Sequence, residues 1–281
     1  MFFLFALGFL ALSGLVLAGT LVLRDQQADR VEWQRLATLQ PASPKRFTEQ
    51  WVADLPEPAR RCFTYTIQAG TPLFPVAEID MTGQFSLGTK DKPAYQPMKA
   101  RQILGAPHGF VWKMQTRGGI PVSGSDTASW TRFRIFGVIP VARLGGDPDH
   151  TRSAFGRQIA EAVVWTPAAL LPGPWVTWDA LGADSARVTV RHGGLEQAVD
   201  VTVDAEGRPI TVVFQRWSNA NPEKVYRLQP FGARASDFRE VEGYRLPFRV
   251  EAGNMFGTDD YFPFFRADVT AIRFARATLA K

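Results

Sequence analysis

Cysteine and histidine are scarce in this 281-residue chain, which has one of the first, Cys62, and three of the second, His108, His150 and His192. A lone cysteine excludes an internal disulfide framework and any cysteine-based zinc site. Three scattered histidines offer little to a metal cluster, so no metal and no cofactor is implied. The common catalytic signatures are missing as well. There is no G-x-S-x-G elbow, no P-loop, no H-E-x-x-H pair and no G-x-G-x-x-G turn. Like charges never run longer than a pair, although Lys and Arg outnumber Asp and Glu by 32 to 27. Nucleic-acid binders gather such charge into stripes. Here it alternates with apolar residues, as on a solvated sheet face, so nucleic acid is not an expected partner.

What the chain does have is an apolar run from Phe2 to Leu23 in which Ser13 and Thr20 carry the only hydroxyls. Twenty-two residues at about 1.5 Å each cover roughly 33 Å, the thickness of a bilayer's hydrocarbon. A cleaved signal peptide would need a basic start, a shorter core and small residues at its end. None of these is present, so the run reads as a single-pass anchor. Arg24, Arg30 and Arg35 follow it, which by the positive-inside rule places the body in the cytoplasm.

The expected organisation is an anchor over 1–23, a helical stalk or linker over 24–45 and a single β domain over 46–281. Period-two alternation dominates that domain. Ile79, Met81, Phe85 and Leu87 share one face of a strand over 77–88. Val199, Val201 and Val203 do so in 197–204, which turns through Ala205-Glu206-Gly207-Arg208 into a strand with Ile210, Val212 and Phe214. Further strands are expected at 63–69, 97–104, 109–116, 130–137, 186–192, 244–252 and 264–274, with Pro247 marking an edge or a bulge. Asp147-Pro148-Asp149 signals the start of a helix over 150–164, and a shorter helix is expected around 45–60. The fold class is therefore mainly β (α+β), a large curved antiparallel sheet or half barrel wrapped around one or two helices. One helix cannot cover some ten strands, so apolar volume should remain on the concave side.

The expected lining of that hollow is Trp112, Trp130, Phe155, Ile159, Trp165 and Phe214, with Glu161 available for a ligand's polar head. The competing readings are plain core packing for the aromatics and a surface glutamate on the helix's polar side. Cys62 reads as a small core residue. Acids adjacent in sequence, such as Glu240/Glu242 and Asp259/Asp260, read as solvated.

Several segments in order carry a resemblance. They are Leu55-Pro56-Glu57-Pro58-Ala59-Arg60-Arg61, Gly109-Phe110-Val111-Trp112, Phe136-Gly137-Val138-Ile139-Pro140-Val141, the stretch from Gln158 to Trp178, the turn Asp204 to Arg208, and Gly243-Tyr244-Arg245-Leu246-Pro247. Together they span most of 50–275. In them the chain resembles an uncharacterised bacterial family of membrane-anchored proteins with a LolA/LolB-like fold, that of the lipoprotein carriers. The resemblance implies a hydrophobic interior suited to acyl chains and a body outside the cytoplasm; the family has no established activity, so no catalytic residue is carried over, and the expected location is the inner membrane. On the side of the membrane the resemblance opposes the arginine count, and the extracytoplasmic side is the one expected. The functional expectation is a membrane-tethered, non-enzymatic binder or carrier of a lipid or other apolar molecule. The alternatives are an assembly protein docking a partner through a sheet face or edge, and an enzyme with a dispersed site near Glu161 or His108.

Overall fold

A computed structural model describes residues 2–274, with side chains from residue 18 onward. Three α-helices, α1 (Phe2–Ala37), α2 (Glu57–Thr66) and α3 (Pro148–Trp165), accompany two short 3₁₀ turns, Glu49–Val52 and Pro167–Leu170. The strands are β1 (Ala77–Ser86), β2 (Tyr95–Leu104), β3 (Phe110–Thr116), β4 (Val122–Thr127), β5 (Trp130–Ile135), β6 (Ile139–Gly145), β7 (Val176–Ala180), β8 (Ser185–His192), β9 (Leu195–Val203), β10 (Pro209–Ser218), β11 (Arg227–Val241), β12 (Tyr244–Asn254) and β13 (Phe262–Arg273).

All thirteen strands form one antiparallel sheet in the order β6-β5-β4-β3-β2-β1-β13-β12-β11-β10-β9-β8-β7. The chain leaves the middle of the sheet at β1 and meanders out to the edge strand β6. From there α3 crosses to the other edge, β7, and a second meander returns to β13 beside β1. Short hairpins favour this all-antiparallel arrangement. The crossing helix is started by Asp147, whose side chain accepts the His150 N–H at 2.8 Å. At the expected turn, Gly207 takes φ +91°, a conformation that glycine adopts without strain.

Alternation sets the two faces. Ala77, Ile79 and Met81 are buried in the main core beneath α2 and α3, while Glu78 and Asp80 point to the other face. There Arg101 pairs with Glu78 at 2.9 Å and Arg273 with Asp80 at 2.6 Å. Arg187 and Asp200, in register on β8 and β9, form a two-pronged pair at 2.6 and 2.8 Å. These cross-strand ladders account for the interspersed charge.

Residues 24–45, expected as a stalk, are helical as far as Ala37 and lie against the outer face of the sheet. Leu36 packs with Val76, Ile103 and Val111 in a second, smaller core. Gln40 clamps the Val76 backbone from both sides, donating to its carbonyl and accepting its N–H at 3.1 Å each. The expected transmembrane helix over Phe2 to Leu23 falls mainly on residues whose side chains lie outside those described. Among the described residues no helix is long and apolar enough to cross a membrane.

Three expectations need correcting. The 63–69 stretch is not a strand, because Phe63 and Thr66 belong to α2. The expected 45–60 helix is instead the turn Glu49–Val52 followed by α2 from Glu57. Pro247 lies in an interior strand. It is tolerated because the β12–β13 register begins only at Arg249↔Asp268, so Pro247 faces β11 alone, opposite Phe238.

Candidate ligand cavity

The main helix is too narrow to fill the concave face. Between α3 and strands from both halves of the sheet lies a cavity of about 570 Å³, within the roughly 300–1,000 Å³ of small-molecule sites. Its wall is largely aromatic and aliphatic. Phe85, Trp112, Phe133, Phe214, Phe231, Phe264 and Phe265 come from the strands, and Ala160, Val164 and Trp165 from α3. The rings interlock edge to face. Trp112 meets Phe133 and Phe265 at 6.2 Å, and Phe231 meets Phe264 at 6.0 Å, spacings that favour tilted pairs over sandwiches.

One part of the wall is charged. Arg157 Nε donates to Glu161 Oε1 at 2.6 Å, and its Nη1 donates to Asp126 Oδ2 at 2.5 Å. Gln102 Nε2 donates to Glu161 Oε2 at 2.5 Å, and Thr131 Oγ1 to Asp126 Oδ1 at 2.5 Å. All four carboxylate oxygens are thus engaged. Burial acts to lower the Arg157 pKa, but Glu161 and Asp126 outweigh it and hold the pKa above its usual value. The guanidinium also lies over the rings of Phe110 and Trp112, at 4.6 and 5.2 Å.

Arg216, on β10, is the other cation of the wall. Its Nε donates to Ser153 Oγ at 3.3 Å, and its guanidinium lies 5.1 Å from the Phe231 ring centre. It forms no ion pair with a carboxylate among the described residues. Burial, reinforced by the charge of Arg157, pushes its pKa down to about 10. Trp112 Nε1 is a further donor, buried and without an acceptor.

Of the expected lining, Trp112, Glu161, Trp165 and Phe214 meet at this cavity. Phe155 and Ile159 do not line it. They sit on the buried stripe of α3 as core, 4% and 0% exposed. Trp130 is on the opposite face of the sheet, under Arg132 at 4.5 Å, in a shallow cleft shared with Leu23, Gln27 and Val31 of α1. An odd–even shift explains its misplacement, since Thr131 and Phe133 of the same strand are the ones that line the cavity. Glu161 is not free for a ligand's head, because Arg157 and Gln102 occupy it.

Asp126, Arg157 and Arg216 escaped the sequence reading, because a charge inside an alternating strand or a helix looks the same as a solvated one. Cys62 is buried, and burial pushes its thiol up to about 12, so it is an inert core residue. His108 and His192 pack edge to face at 4.8 Å. Burial, with the charges of His192 and Arg35, lowers the His108 pKa. Among the described residues, no group of three or more His, Cys, Asp or Glu side chains could hold a metal ion.

Residues 45–267, most of the chain, match the model of a family of unknown function, DUF6544. The chain belongs to that family. No curated protein matches it. Among solved structures, this DUF6544 member is similar to a LolA superfamily protein from Nitrosomonas europaea, at 11% identity and a TM-score of 0.41 over 77% of this chain and 91% of that one. It is also similar to a domain described as an outer membrane lipoprotein-sorting protein from Vibrio parahaemolyticus, at 10% identity and a TM-score of 0.32 over 73% and 87%. The site itself is read from its own residues.

Proposed function

We propose that this protein is a non-enzymatic binder or carrier of a hydrophobic molecule, held in the cavity between α3 and the concave face of the sheet. One observation carries the reading. A cavity of about 570 Å³ is walled by interlocked aromatic rings, and its two carboxylates among the described residues, Asp126 and Glu161, have every oxygen hydrogen-bonded. Such a wall gains about 0.8 kcal/mol per buried methylene and leaves no carboxylate free for proton transfer.

The reading includes a tether. The Phe2 to Leu23 run holds the protein at the inner membrane with its body on the extracytoplasmic side. Val22 and Gly137 line one cleft, so the end of that run lies beside the β5–β6 hairpin. A reporter fused after Lys281 tests the side, and activity of a cytoplasm-only reporter rejects it.

The binding claim is tested by filling the hollow. Full-length protein and Val164→Trp, purified alike, are extracted with organic solvent, and the extracts are compared by mass spectrometry. They are then titrated with the neutral probe N-phenyl-1-naphthylamine. The native protein should yield extra lipid and saturable fluorescence, and the filled variant neither. Equal extracts and equal titrations sink the proposal.

A second reading rests on β6, an unpaired edge strand with Ile139, Val141 and Leu144 exposed. Such an edge can accept a strand from a partner protein. Cross-linking in membranes should then trap a stoichiometric partner, and Val141→Lys should abolish the adduct.

A further inference from the structure

Resting on the cavity reading, the structure narrows the ligand's chemistry. Hydrogen-bonding capacity in the wall is lopsided. The acceptors are spent, since the four oxygens of Asp126 and Glu161 take bonds from Thr131, Arg157 and Gln102. The donors are not. Arg216 uses Nε on Ser153, and among the described residues its Nη1 and Nη2 make no hydrogen bond to protein. Among the described residues Asp126 and Glu161 are also the only acids of the wall, and both are committed to Arg157.

A half-buried guanidinium without a carboxylate partner bears part of its desolvation cost uncompensated, because that cost is offset only when the charge is paired. The depressed pKa of Arg216 registers that cost. Its planar fork presents two parallel N–H groups, a geometry that matches a carboxylate or a phosphate. The aromatic wall continues from it. Phe231 lies beneath the guanidinium, and Phe214, two residues along the same face of β10, meets Phe231 at 5.4 Å.

We propose that Arg216 is the head-group site of the cavity and that the ligand is an anionic amphiphile, its acidic head on Arg216 and its tail along Phe214, Phe231 and Phe264. A neutral lipid would leave the guanidinium unpaired. Arg157 is not the head site, because two carboxylates already neutralise it.

The test pairs two fluorescent probes with the same tail, one anionic and one neutral, cis-parinaric acid and its methyl ester, on the full-length protein in amphipol. The native protein should bind the acid at least roughly tenfold more tightly than the ester, the equivalent of about 1.4 kcal/mol. Arg216→Met, which keeps the apolar stem and removes the fork, should bring the ratio close to one and leave ester binding unchanged. Arg216→Lys should restore part of the preference. Oleate and a lysophosphatidate then compete against the ester in the native protein, and their ranking assigns the head to carboxylate or phosphate. Equal binding of acid and ester by the native protein overturns the head-group assignment while the cavity reading stands. Binding of neither probe overturns both. An Arg216→Met variant that weakens acid and ester equally also overturns the assignment, because the residue then only shapes the wall.

Discussion

Arg143, on the edge strand β6, donates from Nη1 to Asp25 Oδ2 of α1 across 2.9 Å, joining residues 118 positions apart. Arg132 approaches the same carboxylate at 3.0 Å, and Arg134 donates to it as well. One acid on the helix thus gathers three arginines from the outer face of β5 and β6. Burial acts to raise the Asp25 pKa, but the hydrogen bonds from Arg143 and Arg134, with the charge of Arg132, outweigh it and hold it below its ordinary 3.8. A depressed carboxyl stabilises the folded state fully above the ordinary value, and that stabilisation is lost as pH falls through the lowered one. Asp25→Asn should therefore cost about 1.5–3 kcal/mol at neutral pH and speed hydrogen exchange in the docked half of α1. The difference from native protein should shrink as pH falls from the ordinary value through the lowered one. Equal exchange at pH 7 would show that Leu36 and its apolar neighbours alone hold the helix.

Tyr244 ties the start of β12 to the segment before β1. Its hydroxyl accepts the Phe74 N–H and donates to the Pro72 carbonyl, each at 2.8 Å, with the side chain wholly buried. Tyr244→Phe strands both backbone groups, at a cost of about 1–3 kcal/mol in a denaturant titration. Burial also pushes the phenol well above its ordinary 10. A raised phenol stabilises the fold below the ordinary value, and that contribution is lost as pH rises toward the raised one. The variant should consequently lose less stability than native protein above pH 10. Parallel pH profiles would contradict this account.

Arg157 holds together two acids that would otherwise face an apolar hollow. Arg157→Met leaves Asp126 with Thr131 and the His150 ring 4.0 Å away, and Glu161 with Gln102, and should cost about 3–5 kcal/mol. Replacing all three by Met, Asn and Gln removes the uncompensated charge and should recover most of that loss. Arg157→Lys should recover less, because one ammonium cannot span both carboxylates. Thermal melts of the four proteins decide the matter. If Arg157→Met alone is harmless, the cluster is solvated and the acceptors are not spent.

How much of this was legible in the sequence follows from which signals were unmixed. β1 and β9 alternate strictly because one face meets the core and the other meets charge. α3 begins where its Asp-Pro-Asp signal places it. Other elements carried two signals at once. Across the end of α2, Phe63, Tyr65 and Ile67 alternate like a strand, while Ala59, Cys62, Phe63 and Thr66 make a helical stripe, and it is this stripe that is buried within the helix. Four strands left little trace. β4 reads VSGSDT, almost without apolar residues. β6 has nearly every residue exposed, so no inward face imposes a period. β7 is only five residues long, and β11 is interrupted by Pro230 and Gly232. The hollow was foreseeable from the shortage of helix. Arg216 was not, because its lack of a partner appears only once β10, β11 and α3 are in place.

The β5–β6 hairpin yields the last expectation. Phe136 and Ile139 at its tip are 64% and 55% exposed, while Ile135 and Val141 on either side line the cavity. Apolar surface is therefore continuous from the hollow to the tip, and the tip lies near Val22 at the end of the apolar run. Exposed apolar surface of this kind marks a contact with membrane or protein. Phe136→Ser combined with Ile139→Ser removes surface that nothing covers, so stability should change by no more than about 0.5 kcal/mol. Affinity for N-phenyl-1-naphthylamine should also hold, since neither residue lines the cavity. What should change is the rate. Transfer of parinarate from protein to vesicles, followed by quenching in the acceptor bilayer, should slow by about fivefold or more if the tip is where the tail leaves for lipid. An unchanged rate with unchanged affinity would place the exit elsewhere and return the hairpin to the partner-docking reading.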